Sequence, residues 1–233
     1  MLVIFGDTPL KEGHLIREKA YREIIWDRLG KYRTGIIPRE FSSLEDYLRH
    51  IWNMKFIMAK SGKKFFSPNI PFTKFIKNRT QAEVRRQYAY HEGTVWFSSR
   101  PRLYGTLEIR PCGLQPFDAH LSVAAFCLGL MENLDAFSTL LKDFSLAHCR
   151  ELRYEASKKG FKAKIKGKPV LPYIEELAAL SADGLKKRGF GEEKFIIPLL
   201  ERIKLKKNPA DEAVEIFKRG GLKELIRQRG FIE

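Results

Sequence analysis

A chain of 233 residues with 44% hydrophobic side chains, among them 17 Phe and 8 Tyr, carries enough apolar mass for a real core, which excludes a disordered chain. Three cysteines, Cys112, Cys127 and Cys149, form no Cys-x-x-Cys pair, so neither a disulfide framework nor a zinc site is expected, and a reducing cytoplasm is. The formal net charge of +15 favours anionic partners such as phosphate-bearing substrates or nucleic acid, while no apolar run reaches the ~20 residues of a membrane span.

The apolar start at residues 2–5 reads as a short buried strand, too brief for a secretory signal, followed by a Gly6-Asp7-Thr8-Pro9 turn. Residues 12–29 carry a helical pattern: Ile16, Ala20 and Ile24 are four apart, as are Tyr21, Ile25 and Leu29, and Gly30 stops it. A second helix begins at Ser42 or Ser43, an N-cap with Glu45 and Asp46 in the first turn. Tyr47, Ile51, Met54 and Met58 then form a stripe that belongs in a core. Residues 61–79 read as an ordered loop with a short helix near 72–76, and a further helix runs from Thr80 to about Tyr90. An antiparallel hairpin occupies 94–110. The nearly all-apolar stretch 117–141 predicts one central helix.

The remainder predicts helices with a strand-like insertion at 161–166. Ile174, Leu177, Ser181 and Leu185 share one helix face, as do Ala210, Ala213, Val214 and Phe217, and Asn208-Pro209 supplies an N-cap with proline at the first helical position. The lysines between Lys158 and Lys168 read as a solvated surface. No composition break marks a boundary, so the expectation is a single domain over 1–233 with a helical subregion from about 117 onward.

The hairpin carries the chemistry. Alternation puts Thr106, Glu108 and Arg110 on one face, with Leu107 and Ile109 on the other, and sets Glu108 and Arg110 about 7 Å apart along the strand. A loop over 101–105 places Arg100 opposite Thr106 and Ser98 opposite Glu108, and this register gathers the polar side chains on one face. Two readings follow. One is an ordinary cross-strand salt bridge on an exposed sheet. The other is a site where Glu108 holds Mg²⁺ while Arg110 and Arg100 neutralise phosphate or carboxylate oxygens, the parts that phosphoryl transfer needs.

The run Trp96-Phe97-x-x-Arg100-Pro101, followed by Tyr104-Gly105-Thr106-Leu107-Glu108-Ile109-Arg110, resembles the signature hairpin of the bacterial carboxylate–amine ligases of the glutamate–cysteine ligase superfamily. Arg22-Glu-Ile-Ile-Trp26, Arg33-Thr34-Gly35, the helix of Tyr47, Arg153 to Gly160 and Ala210 to Leu222 resemble further family segments in the same order. The resemblance implies an α+β fold, a partial antiparallel sheet of the glutamine-synthetase-like type packed by helices, with a helical C-terminal part. It implies an ATP- and Mg²⁺-dependent reaction in which a glutamate-like carboxylate is phosphorylated and an amine displaces phosphate. Glu108 matches the metal-binding glutamate, Arg110 the arginine on ATP phosphate, and Arg100 an arginine of the substrate cleft. Arg22 and Arg33 match cofactor-side positions, and His91 a substrate-side one. The chain departs from the family at Pro111-Cys112-Gly113, where an acidic residue is usual, and at Lys158, where an arginine is. Family members are roughly twice as long, so the expectation is one half of a split ligase completed by a second protein chain or an oligomer. The alternative is a noncatalytic subunit or a basic nucleic-acid-binding protein on the same fold.

Overall fold

The computed structural model describes residues 1–30 and 32–230. The fold is α+β with a helical C-terminal part, and its strands pair two by two in short sheets, all antiparallel but one. Where the sequence shows no boundary, the chain divides into two compact units: Met1–Ile25 with Pro111–Glu233, and Trp26–Arg110.

The first unit is built on helices. Its N-terminal apolar run is not a strand but a single helical turn, Leu2–Phe5, with all four side chains buried. A run of four apolar residues surrounded on every side has no periodicity to separate strand from helix. Asn208 pins this turn by donating from Nδ2 to the Val3 carbonyl (2.9 Å), and the Ala210 amide donates to the Gly6 carbonyl (3.0 Å). The helix expected over 12–29 is shorter. Leu10–Lys11 and His14–Leu15 form a hairpin first, turned by Glu12 (φ 50°) and Gly13 (φ 79°). Two successive positive φ values suit a tight two-residue hairpin. The helix itself is Tyr21–Arg28.

The apolar stretch 117–141 also differs from expectation. It breaks into the short turn Phe117–Ala119, the helix Ser122–Glu132 and the helix Leu134–Leu141, with a bend of 91° between the first pair and the last. Asn133 stands at the break, donating to the Leu180 carbonyl (2.7 Å) and to Asp183 (3.0 Å) and accepting from Lys187 (2.6 Å). Among the described residues, no single helix is long and apolar enough to cross a membrane. Ser122–Glu132 lies against Leu171–Arg188 in backbone contact: a Cβ at Gly184 would fall 2.0 Å from the Gly129 carbonyl oxygen, and one at Gly129 would fall 2.1 Å from that of Ser181. Glycine is required at both positions for this approach. Ile174, Ser181 and Leu185 are buried on that helix, as their shared face predicts. The C-terminal helix Pro209–Arg229 opens on the expected cap, here a capping box between Asn208 and Asp211.

The second unit packs an aromatic core of Tyr47, Phe56, Phe72, Tyr88 and Phe97 around Ile51 and Val95. The expected N-cap at Ser43 starts the helix Leu44–Asn53, whose stripe of Tyr47 and Ile51 is buried, while Met58 falls beyond its end. The short helix expected near 72–76 is the turn Phe72–Phe75, while the hairpin Ala59–Ser61/Lys64–Phe66 extends into the stretch expected as a loop. The helix from Thr80 is Gln81–Gly93, a turn longer than expected and started by a Thr80–Glu83 capping box. Trp96–Phe97 pairs in parallel with Thr34–Gly35, and Ser99–Pro101 pairs antiparallel with Leu107–Ile109.

Candidate anion-binding site

In the hairpin of the second unit, Glu108 stands directly opposite Arg100, Leu107 opposite Pro101 and Ile109 opposite Ser99. This corrects the expected register by one pair, because the loop covers residues 102–106. The Arg102 amide donates to the Thr106 carbonyl (2.8 Å), and Gly105 turns the chain at φ 74°. A shift by a whole pair keeps every side chain on its face. Arg100, Arg102, Glu108 and Arg110 therefore still share one side of the ribbon.

Glu108 is the hub of that side. Its Oε2 accepts from Arg100 Nε (3.1 Å), Arg100 Nη2 (2.9 Å) and Arg102 Nη1 (3.1 Å), and its Oε1 accepts from Arg110 Nη1 (2.5 Å). Burial pushes the carboxyl upward, but hydrogen bonds from Arg110 and Arg100 outweigh it and leave the pKa below its usual value. Glu108 is thus ionised. Arg100 lies beneath it, only 3% exposed, and its third nitrogen donates to the Glu92 carbonyl (2.7 Å). Burial draws the Arg100 guanidinium below its ordinary value against the pull of Glu108.

Two members of the cluster have no counterpart among the expected site residues. Arg102 bridges Glu108 and Glu92, the latter at 3.7 Å. Glu92, buried in the last turn of Gln81–Gly93, also accepts the Leu103 amide (2.8 Å) and so anchors the hairpin loop. The signal for Arg102 was present in the Arg-Pro-Arg spacing, which gives it the parity of Arg100. For Glu92 no sequence signal exists. Arg110 is oriented by the ring of Trp26, 5.3 Å from its guanidinium carbon, and Trp26 packs on Trp96 at 5.5 Å.

The other expected residues are elsewhere. Arg33 donates to the Thr94 hydroxyl (2.9 Å), its Nη2 is buried without a partner among the described residues, and burial lowers its pKa. His91 has no exposed surface. Its ring stacks on Phe72 (4.6 Å, 8° between planes), and its Nε2 lies 2.7 Å from the Ile51 carbonyl, which fixes the proton on Nε2 because a carbonyl only accepts. Burial lowers its pKa to about 4. Both residues expected as substrate contacts, Arg100 and His91, are buried. Arg22 belongs to the first unit, where it binds Glu23 (2.7 Å), and Glu23 in turn binds Arg153 (3.0 Å).

Among the described residues, three guanidiniums against two carboxylates give the cluster a net positive charge, on a side where Arg102, Glu108 and Arg110 are all partly exposed. Such a surface takes an oxyanion, which planar guanidinium forks grip in pairs of hydrogen bonds. A divalent cation fits poorly. Glu108 already accepts from three guanidiniums, and among the described residues no group of three or more His, Cys, Asp or Glu converges.

The model of the Glutamate-cysteine ligase family 2 (GCS2) matches residues 1–228. The chain is 23% identical to the chloroplastic glutamate–cysteine ligase of Brassica juncea over 226 residues, covering 92% of this chain and 44% of that relative. It is 24% identical to the chloroplastic enzyme of Arabidopsis thaliana, with 92% and 43% covered, and 24% identical to the chloroplastic glutamate–cysteine ligase A of Oryza sativa subsp. indica, with 92% and 46% covered. The chain thus spans less than half the length of these curated relatives.

Proposed function

The chain belongs to glutamate-cysteine ligase family 2, and on that premise we propose that it is the phosphate-gripping half of an ATP-dependent carboxylate–amine ligase. In the proposed reaction a glutamate-type carboxylate attacks the γ-phosphorus of ATP, forming an acyl phosphate and releasing ADP. The amine then adds to the acyl carbon and expels phosphate. The observation that carries this reading is the surplus of guanidinium groups on one face of the Ser99–Pro101/Leu107–Ile109 hairpin. Charge on the transferring phosphoryl oxygens is what catalysis must stabilise, and positioned guanidiniums do so without covalent chemistry.

Roles divide by exposure. Arg110 and Arg102 are the groups that meet phosphate oxygens. Arg100 is a positioning residue that holds the Glu108 carboxylate between them. Arg33 and His91 support the unit from inside, and Arg22 orders the Glu23–Arg153 network of the other unit. Glu108 is engaged by three guanidiniums, so the donors that would hold Mg²⁺ in the proposed ligase are to come from outside the described residues. A second chain, or a second copy, is proposed to supply them. The short relative length supports this, as does the two-stranded hairpin, whose outer edges are unpaired among the described residues.

The test is calorimetric titration of Mg²⁺-ATP into the chain, alone and with a co-expressed complementing chain. Binding that Arg110→Ala weakens by about 10- to 100-fold, the worth of a charged hydrogen bond, supports the reading. Absence of ATP binding in both preparations defeats it, as does binding indifferent to Arg110→Ala. Steeply salt-dependent RNA binding that ignores this substitution would instead favour the nucleic-acid alternative.

A further inference from the structure

The helical unit contains an open cavity of about 700 Å³ that shares no residue with the guanidinium cluster. Leu114, Phe117, Leu205 and Ile216 supply apolar wall, and Asp7, Gln115 and Arg202 supply the polar part of the lining. Arg202 is only 6% exposed and rests over the Phe5 ring at 5.8 Å. One of its nitrogens donates to Gln115 Oε1 (2.7 Å), and Gln115 is itself fixed by donating to the Phe5 (3.2 Å) and Gly113 (3.0 Å) carbonyls. A guanidinium has five N–H donors. This one reaches a single acceptor among the described residues.

Asp7 lines the same cavity and has neither a hydrogen bond nor an ion pair among the described residues. Its carboxylate lies against Gly113, where a Cβ would come within 2.9 Å of Oδ1. Burial raises its pKa to about 7, against the opposing fields of Arg229, Arg202 and Arg22. The other basic groups of the lining are engaged: Arg229 holds Glu212 and Lys207 holds Glu215, each at 2.6 Å. An acid and a base of opposite sign thus face one cavity, each stripped of part of its water, and do not meet. That is an expensive arrangement for a protein to keep empty. A ligand with one positive and one negative end completes both.

We propose that this cavity binds a small zwitterion, with Asp7 receiving its ammonium group and Arg202 its carboxylate. Placing an ammonium beside Asp7 ionises it, so binding releases a proton and strengthens from about pH 6 to about pH 8. The charged groups facing Asp7 from neighbouring elements are Arg22, Arg202 and Arg229, and Asp118, Glu201, Glu212 and Lys207 complete the lining. The site is independent of the ligase reading.

The experiment titrates the full chain with glycine, β-alanine, 4-aminobutyrate and 6-aminohexanoate, which separate the two charges by increasing lengths, and with methylammonium and acetate as half-ligands. The expected result is saturable binding of at least one ω-amino acid, tighter than either half-ligand and tighter at the higher pH. Asp7→Asn is expected to weaken it by about 10- to 100-fold. Arg202→Lys keeps the buried charge but loses the fork, and is expected to weaken it comparably while the chain stays folded. No binding by any probe, or binding unchanged in Asp7→Asn, overturns the proposal. Mg²⁺-ATP titration of Asp7→Asn separates the two readings: ATP binding that persists while the zwitterion is lost assigns the loss to the cavity alone.

Discussion

Two sites, one in each unit, treat buried charge in opposite ways. In the Trp26–Arg110 unit opposite charges meet: Glu108 is bound by Arg100, Arg102 and Arg110, and Glu92 by Arg102. In the helical unit Asp7 and Arg202 share a cavity without pairing. A satisfied network stiffens the surface it builds and advertises only its net charge, whereas an unsatisfied pair points to something that is to come between its members. The first pattern makes a guanidinium-rich face out of very short strands. The second makes a polarised pocket out of helix packing.

Breaking the satisfied network has the largest effect expected. Arg100→Met removes the buried partner of Glu108 and strips a hydrogen bond from the Glu92 carbonyl. Glu108 keeps Arg102 and Arg110, so the loss is that of the charged hydrogen bonds from Arg100 together with the donor to the buried Glu92 carbonyl, about 3–5 kcal/mol in all, read as a lower urea midpoint at unchanged slope. A loss below about 1 kcal/mol would mean that Arg100 behaves as a surface pair, and the contrast between the units would fall.

Acid sharpens the contrast, because each unit holds a group that burial shifts toward its neutral form, Asp7 in one and His91 in the other, and these two respond with opposite sign. His91 has a folded pKa of about 4 against an ordinary value of 6.5. Between these values the unfolded chain binds a proton that the folded chain does not, so its contribution makes stability fall as pH drops through that window. Asp7 has a folded pKa of about 7 against 3.8. There the folded chain keeps a proton that the unfolded chain has released, so its contribution makes stability fall as pH rises from about 4 to about 7. Asp7→Asn should therefore stabilise the chain above neutral pH, by about 2–4 kcal/mol for a shift of this size. It should also expose the His91 slope in the remaining pH profile. A variant no more stable than wild type at about pH 8 would show that Asp7 is not destabilised in the folded chain.

Local signals in the sequence reached as far as local physics extends. Ser43, Thr80 and Asn208 announce their helices because a cap acts within three residues, and the stripe of Tyr47 and Ile51 announces a core because its period is short. The face of Glu108 and Arg110 was legible from alternation, while its exact pairing was not, because the loop length rests on Gly105 and no residue fixes it from the strand side. Residues 2–5 and the bend at Asn133 escaped for the same reason: uniformly apolar segments take their form from what surrounds them. Glu92 and the facing of Asp7 by Arg202 depend on elements far apart in the chain, and nothing local encodes them.

The smallest effect sets one motif in the two surroundings. Thr80 and Asn208 both close capping boxes, with Glu83 and Asp211 respectively. Thr80 is exposed, so Thr80→Ala loses one cap on one helix and should cost about 1 kcal/mol. Asn208 has no exposed surface, and the Nδ2 of the same side chain donates to the Val3 carbonyl. Asn208→Ala therefore loses the cap and leaves a buried carbonyl without that donor, and should cost about 2–4 kcal/mol. Equal losses in thermal or urea unfolding would show that the tie to Val3 adds nothing. A larger loss for Asn208 locates its extra cost in tertiary packing rather than in the helix it starts, which is how the helical unit fastens a four-residue turn that has no stability of its own.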